Sequence, residues 1–192
     1  MSRASRPRRG LSTVVTSMIL LVAAVLMAFA VANYATNATK TRSTTEEVRF
    51  SKESIWMNLS GAVVAFKIQN IGGADLTVDG VIVRDVELNW EDIYYYRVPS
   101  GTTFTGEMSL VCAGTLSGAS FTVDGLTFQQ AYNSIPLISS GSMLFYVRNP
   151  GNLFIDDIGE TVRFGIFTKN GNYITAAKVE SATQQGGRGG GY

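Results

Sequence analysis

Two hydropathy patterns follow one another along the chain. Between positions 10 and 39 no residue is charged, and from Leu11 to Ala32 (LSTVVTSMILLVAAVLMAFAVA) nearly every position is apolar or small. This run has no polar face, and a helix apolar on all sides must lie in lipid or among other helices. Its 22 residues predict a helix of about 33 Å, long enough to cross a bilayer core. No proline or glycine occurs between Leu11 and Ser60, so the helix is expected to continue through NYATNATKTR and thin out in the threonine-rich TRSTT, giving a helical segment over 11–45.

Beyond about residue 46 the pattern turns to strands. The runs AVVAFKIQN (62–70), LTVDGVIVRDV (76–86), IYYYRV (93–98), TFTGEMSLVCA (103–113), SFTVDGLTF (120–128), SMLFYVRN (142–149), TVRFGIFT (161–168) and YITAAKVE (173–180) are rich in β-branched and aromatic residues. Turn chemistry lies between and within them. Ile71-Gly72-Gly73-Ala74-Asp75 joins two runs, Asp79-Gly80 and Asp124-Gly125 read as tight turns or bulges, Asn149-Pro150-Gly151 closes a run, and Asn170-Gly171-Asn172 signals a hairpin. A short helix around 127–132 is the one helical expectation in this region. The spacing predicts an all-β antiparallel sandwich over 46–180, large enough to fold without disulfides. The glycine-rich end, 181–192, reads as a flexible tail.

Charge sharpens the reading of the first segment. The formal charge of +1 averages two regions: Arg3, Arg6, Arg8 and Arg9 precede Gly10, and the remainder carries twelve basic against fifteen acidic groups. That remainder has no basic stripe to displace counterions from phosphate, so nucleic acid is not an expected partner. Arginines ahead of an apolar run hold the N-terminus in the cytoplasm and place the larger C-terminal part outside. Three readings fit the run itself. It is a secretory signal cut at Ala30-Val31-Ala32, a retained membrane anchor, or a helix whose basic leader is removed just before it at Gly10-Leu11.

Enzymatic constellations are scarce. The chain has no histidine and one cysteine, Cys112, which removes histidine-based triads, histidine zinc sites and cysteine clusters. Cys112 lies in a strand-like context, SLVCA, and is expected to be a buried structural thiol. Asp156-Asp157 with Glu160, and Asp75 with Asp79, have oxygen ligands for a hard cation but not the spacing of an EF-hand loop, and read as solvated turns. The terminal Gly186-Gly187-Arg188-Gly189-Gly190-Gly191 lacks the helix that a phosphate-cradling loop needs. Consecutive Tyr94, Tyr95 and Tyr96 alternate faces in a strand, so two are expected in the core and one at the surface. No catalytic residue, cofactor or metal is expected.

Arg8-Arg9-Gly10 followed by Leu11-Ser12 resembles the class III signal peptide of type IV pilin-like proteins, in particular the archaeal branch containing adhesion pilins and archaellins. Bacterial members usually carry phenylalanine at the first mature position and glutamate at the fifth, where this chain has Leu11 and Val15. The resemblance implies that a prepilin peptidase cuts between Gly10 and Leu11. It further implies that the membrane-held precursor, with its N-terminus cytoplasmic, is assembled by an ATPase and a membrane platform protein into an extracellular homopolymer. FKIQNIGGADLTVDGVIV likewise resembles the early strand pair of the immunoglobulin-like head of these proteins, so the implied fold is an α+β lollipop of hydrophobic helix and immunoglobulin-like antiparallel sandwich.

Within the helix, Ala24, Ala28 and Ala32 recur at i, i+4 and i+8, a small-residue stripe that lets helix backbones approach closely. Asn37-Ala38-Thr39 and Asn58-Leu59-Ser60 have the N-glycosylation pattern, both in the part expected outside the cytoplasm. The expectation is a structural filament subunit for surface adhesion, with a motility filament subunit or a membrane-anchored β-sandwich binding protein as alternatives.

Overall fold

A computed structural model of the chain describes residues 9–182, with side chains described over 12–40 in the helix and from Thr45 onward. The expected leader at 1–10 and tail at 181–192 lie, apart from residues 9, 10, 181 and 182, outside the described residues. The chain divides into two compact units between Thr44 and Thr45.

The described residues of the first unit form one helix, α1 (Arg9–Thr44), of 36 residues. Its continuation past the apolar run follows from the lack of glycine and proline there, and it ends where three consecutive β-branched or hydroxyl residues, Ser43-Thr44-Thr45, weaken helix propensity.

The described residues of the second unit form eleven strands: β1 (Val48–Asn58), β2 (Gly61–Asn70), β3 (Leu76–Val83), β4 (Val86–Glu87), β5 (Ile93–Val98), β6 (Ser120–Val123), β7 (Leu126–Gln130), β8 (Ile135–Leu137), β9 (Ser142–Arg148), β10 (Thr161–Thr168) and β11 (Gly171–Ser181). They form one sheet in the order β4-β3-β10-β11-β1-β2-β9-β5-β7-β6, with β8 beside β3. The sheet is mixed, correcting the wholly antiparallel expectation: β1 and β11 run parallel, from Ile55 opposite Val179 to Met57 opposite Ser181. This short pairing joins two antiparallel halves, which curl as a half-barrel over a shared core.

Two cores lie on opposite faces of the central strands. Val64, Phe66 and Ile68 of β2, with Met143, Phe145 and Val147 of β9, enter the core shared with β3 and β10. Their neighbours Val63, Ala65, Leu144 and Tyr146 enter a second core under the β6–β7 hairpin and the segment from Phe104 to Leu116. Burial on both faces is why AVVAFKI and MLFYV read as continuous apolar runs. Stacked rings anchor each core: Phe66 on Phe145 at 5.1 Å in the first, and Phe121 on Phe128 at 5.1 Å in the second. Each ring is worth about 1.5–3 kcal/mol of burial.

Segment 103–113, expected as a strand, is instead an irregular cover over the second core. Side chains from the sheet satisfy part of its backbone in place of a ladder. The Tyr146 hydroxyl donates to the Ser109 carbonyl (2.8 Å), and Lys67 Nζ donates to that of Phe104 (3.3 Å). Just beyond it, the Arg148 guanidinium donates to the Leu116 carbonyl (2.9 Å). Burial pushes the Tyr146 phenol above its ordinary range, so it remains a donor.

Three further expectations change. Residues 126–130 form strand β7, not a helix, because Leu126 to Val123 closes a hairpin on Asp124-Gly125 (φ 50° and 76°). The β10–β11 hairpin turns at Lys169-Asn170, with Gly171 already paired to Thr168. The strands flanking Ile71–Asp75 do not pair with each other: β2 pairs with β1 and β9, β3 with β10, β4 and β8. The connecting loop therefore crosses between the two halves. Fully buried Asn70 closes it, donating from Nδ2 to the Ala74 carbonyl (2.8 Å) while its Oδ1 accepts the Gly72 N–H (3.0 Å).

Candidate functional site

Every described side chain of α1 is exposed within the chain, including Met18, Leu20, Leu21, Leu26 and Phe29. Thirteen large apolar side chains from Val14 to Tyr34 are among them. At about 1.5 kcal/mol or more per side chain, removing them from water is worth on the order of 20 kcal/mol. That exceeds the net stability of an ordinary domain, about 5–15 kcal/mol. Such a surface does not stay in water; over Ser12–Lys40 the helix is long and apolar enough to cross a membrane, and none of that span is buried.

Five of the helix's polar side chains are turned back on its own backbone. Thr16 Oγ1 donates to the Ser12 carbonyl (2.8 Å), Ser17 to Val14 (2.9 Å), Asn33 Nδ2 to Phe29 (2.9 Å), Thr36 to Ala32 (2.8 Å) and Thr39 to Ala35 (2.9 Å). Groups satisfied this way cost little when water is excluded, so the segment is suited to lipid or to close helix packing. Ala24, Ala28 and Ala32 share one side of this helix and are all exposed.

Gly10 and Leu11 lie within the first turns of α1, whose backbone is helical across the bond between them; their side chains are outside the described residues. Asn37 is exposed on α1. Asn58 ends β1 at a two-residue turn, where its Oδ1 accepts the Ser60 N–H (2.9 Å) and hydroxyl (2.6 Å) and its Nδ2 points to Cys112 Sγ at 3.5 Å. The two sequons thus sit in different settings, one on an open helix surface and one in a closed turn. Cys112 is half-buried and precedes a 3-10 turn at Ala113–Thr115, a correction to the buried strand thiol.

Two of the acidic candidates, Asp157 and Glu160, pair with arginine. Asp157 accepts from both terminal nitrogens of Arg84 (3.0 and 2.6 Å), Glu160 accepts a third bond from it (3.2 Å), and Arg84 also donates to the Asn152 carbonyl (3.1 Å). Asp75 instead accepts the Ser139 N–H (2.8 Å), and no cluster of three potential metal ligands occurs among the described residues. Arg84, which the sequence did not single out, occupies the β3–β4 turn with φ 48°, beside Asp85 with φ 64°. Its bidentate bond and the Phe154 N–H hold the Asp157 carboxyl below the usual carboxylate range. A depressed carboxylate stabilises the fold above its ordinary pKa of about 4 and loses that contribution as pH falls through the lower folded value. Urea midpoints are therefore expected to drop below about pH 4, and Arg84→Met to cost about 1 kcal/mol at neutral pH while flattening that acid limb.

The tyrosine triplet divides differently from expectation. Tyr94 is fully buried in the second core and its hydroxyl donates to the Gly118 carbonyl (3.1 Å); Tyr96 packs against the same core, and Tyr95 against the first. All three touch a core, leaving none wholly at the surface. Comparison of the chain with protein-family models and with curated proteins found no match.

Proposed function

We propose that this chain is a structural subunit of an extracellular filament of the archaeal type IV pilus-like kind, used for surface adhesion. In this reading a prepilin peptidase removes the basic leader after Gly10. The retained helix passes from the cytoplasmic membrane into the filament core, through an assembly ATPase and platform protein, and the β unit is an outward-facing head of the immunoglobulin-like kind. The observation that carries it is α1 itself. Its run from Leu11 to Ala32 is apolar on every face, none of Ser12–Lys40 is buried in its own chain, and five of its polar side chains are bonded to its own backbone. The order along the sequence, four arginines, a glycine and then the apolar run, supports cutting at Gly10-Leu11, because a packed bundle could not hold unpaired guanidinium groups. Sugars on Asn37 and Asn58 belong to the same reading and would add hexose mass to the intact protein.

The test is the N-terminal residue of the protein recovered from sheared surface filaments, by mass spectrometry. A chain beginning at Leu11 is expected. A start at Asn33 would make it a soluble secreted protein. An intact N-terminus in the membrane fraction would make it a membrane-anchored β-domain binding protein. Attachment and swimming assays of a deletion strain separate adhesion from motility.

A further inference from the structure

A cleft of about 450 Å³ opens in the β unit where β5 ends and β9 begins, within the roughly 300–1,000 Å³ range of small-ligand sites. One wall is the turn after β5, closed by the Thr102 N–H on the Pro99 carbonyl (3.1 Å), with Gly101 at φ +82°. The other is the turn before β9, closed by the Gly141 N–H on the Ile138 carbonyl (3.0 Å), with Ser140 at φ 62°. That second wall is tied to the crossover loop through Ser139, whose hydroxyl donates to the Gly72 carbonyl (2.7 Å) and whose N–H donates to Asp75 (2.8 Å). The Asn70 N–H adds a bond to the Gly141 carbonyl (3.0 Å). Both walls are held before any ligand arrives.

The lining is chemically one-sided. Among the described residues, Arg97 is the charged one in it, and none of them brings a carboxylate to the cleft. Its guanidinium rests 5.8 Å above the Tyr95 ring and has no acidic partner among the described residues. The hydroxyls of Ser100, Ser140 and Ser142 likewise make no hydrogen bond to another described residue, while Val98, Pro136, Leu137 and Ile138 supply an apolar floor. A ligand matching this set carries one carboxylate for a planar guanidinium fork, several hydroxyls for three serines, and a C–H face for the floor. A single cation is too few for a polyphosphate or nucleic-acid backbone.

We propose that this cleft binds an acidic sugar, a uronic-acid unit of a polysaccharide, with its carboxylate on Arg97 and its hydroxyls on Ser100, Ser140 and Ser142. The cleft lies wholly in the β unit, so the inference holds whether or not α1 polymerises.

The full chain, kept in a sugar-free polyoxyethylene detergent, is titrated with trigalacturonate, and binding is read by calorimetry and ligand-observed NMR. Maltotriose serves as the neutral sugar and acetate as the bare carboxylate. Wild type is expected to bind trigalacturonate with a Kd of about 1 mM or tighter. Arg97→Ala and Arg97→Gln are each expected to weaken it about tenfold or more, with Arg97→Lys in between. Ser140→Gly is expected to raise the melting temperature while weakening binding several-fold, a split that a merely structural serine would not give. No binding of trigalacturonate by wild type at about 10 mM overturns the proposal. So does maltotriose or acetate binding as tightly, or unchanged affinity in both neutral Arg97 variants.

Discussion

Ala28→Arg is expected to abolish filament formation while leaving the β unit folded with an unchanged melting temperature. Ala28 sits mid-way along the apolar span Ser12–Lys40, on the alanine-bearing side of α1, and none of that span is buried by the chain itself. In a filament core the position would be covered by neighbouring helices. A guanidinium there would meet no carboxylate from any copy, since residues 10–39 contain no charge. An unpaired buried charge costs several kcal/mol, repeated in every subunit of a homopolymer. The same change costs only about 2.5–3.5 kcal/mol at the centre of a membrane span, so insertion and assembly are separable. The precursor is expected in the membrane fraction and the filament absent from the sheared fraction. Normal filament yield from Ala28→Arg would refute a helix-packed core; loss from the membrane as well would locate the defect at insertion.

A large loss of stability in the β unit is expected at Gly165. This residue lies in β10, between Ile82 of β3 and Ile174 of β11. A Cβ at Gly165 would stand 2.2 Å from the Tyr173 carbonyl oxygen and 3.0 Å from the Ile174 Cα. Both are backbone atoms of the paired strand, so no rotamer change makes room. The ladder itself must move, and Gly165→Ala is expected to cost about 3 kcal/mol or more, at the upper end of overpacking penalties. Gly114→Ala is the control: nothing lies within 4 Å of a Cβ at that position. Urea unfolding followed by the fluorescence of Trp56 and Trp90 compares them. Equal midpoints for Gly165→Ala and wild type would show that β10 and β11 do not approach as closely as described.

Strand positions were legible wherever one periodicity ran unbroken. IYYYRV and TVRFGIFT coincide with β5 and β10, because their pairing carries no extra residue within the run. β1 escaped notice for a physical reason. A bulge between Ser51 and Ser54, with Lys52 at φ 61°, inserts one residue, so Val48 and Phe50 face the first core and so do Ile55 and Met57. The alternation changes phase in mid-strand, and a period-2 reading loses it. β3 does the same at Asp79, where Leu76 and Val78 share a core with Val81 and Val83; there the Asp-Gly signal was visible as a turn or bulge. β8, three residues centred on Pro136, is too short to carry a pattern.

The sequence by itself determined the two-part organisation, a helix apolar on all sides followed by a β unit. It also excluded histidine-based chemistry and, through the position of four arginines and a glycine, framed the question of processing. These are properties of composition and local period, which do not depend on what lies far along the chain. Only the tertiary structure decided which strands are neighbours, since pairing depends on partners distant in sequence. Thus β1 meets β11 in parallel, and the strands either side of Ile71–Asp75 part company. It also turned a strand-like segment into a cover, because Tyr146 and Lys67 satisfy carbonyls that a ladder would otherwise claim. Finally, it turned acidic residues that resembled a cation site into partners of Arg84, and gathered Arg97 and three serines from β5, β9 and the turns beside them around one cleft.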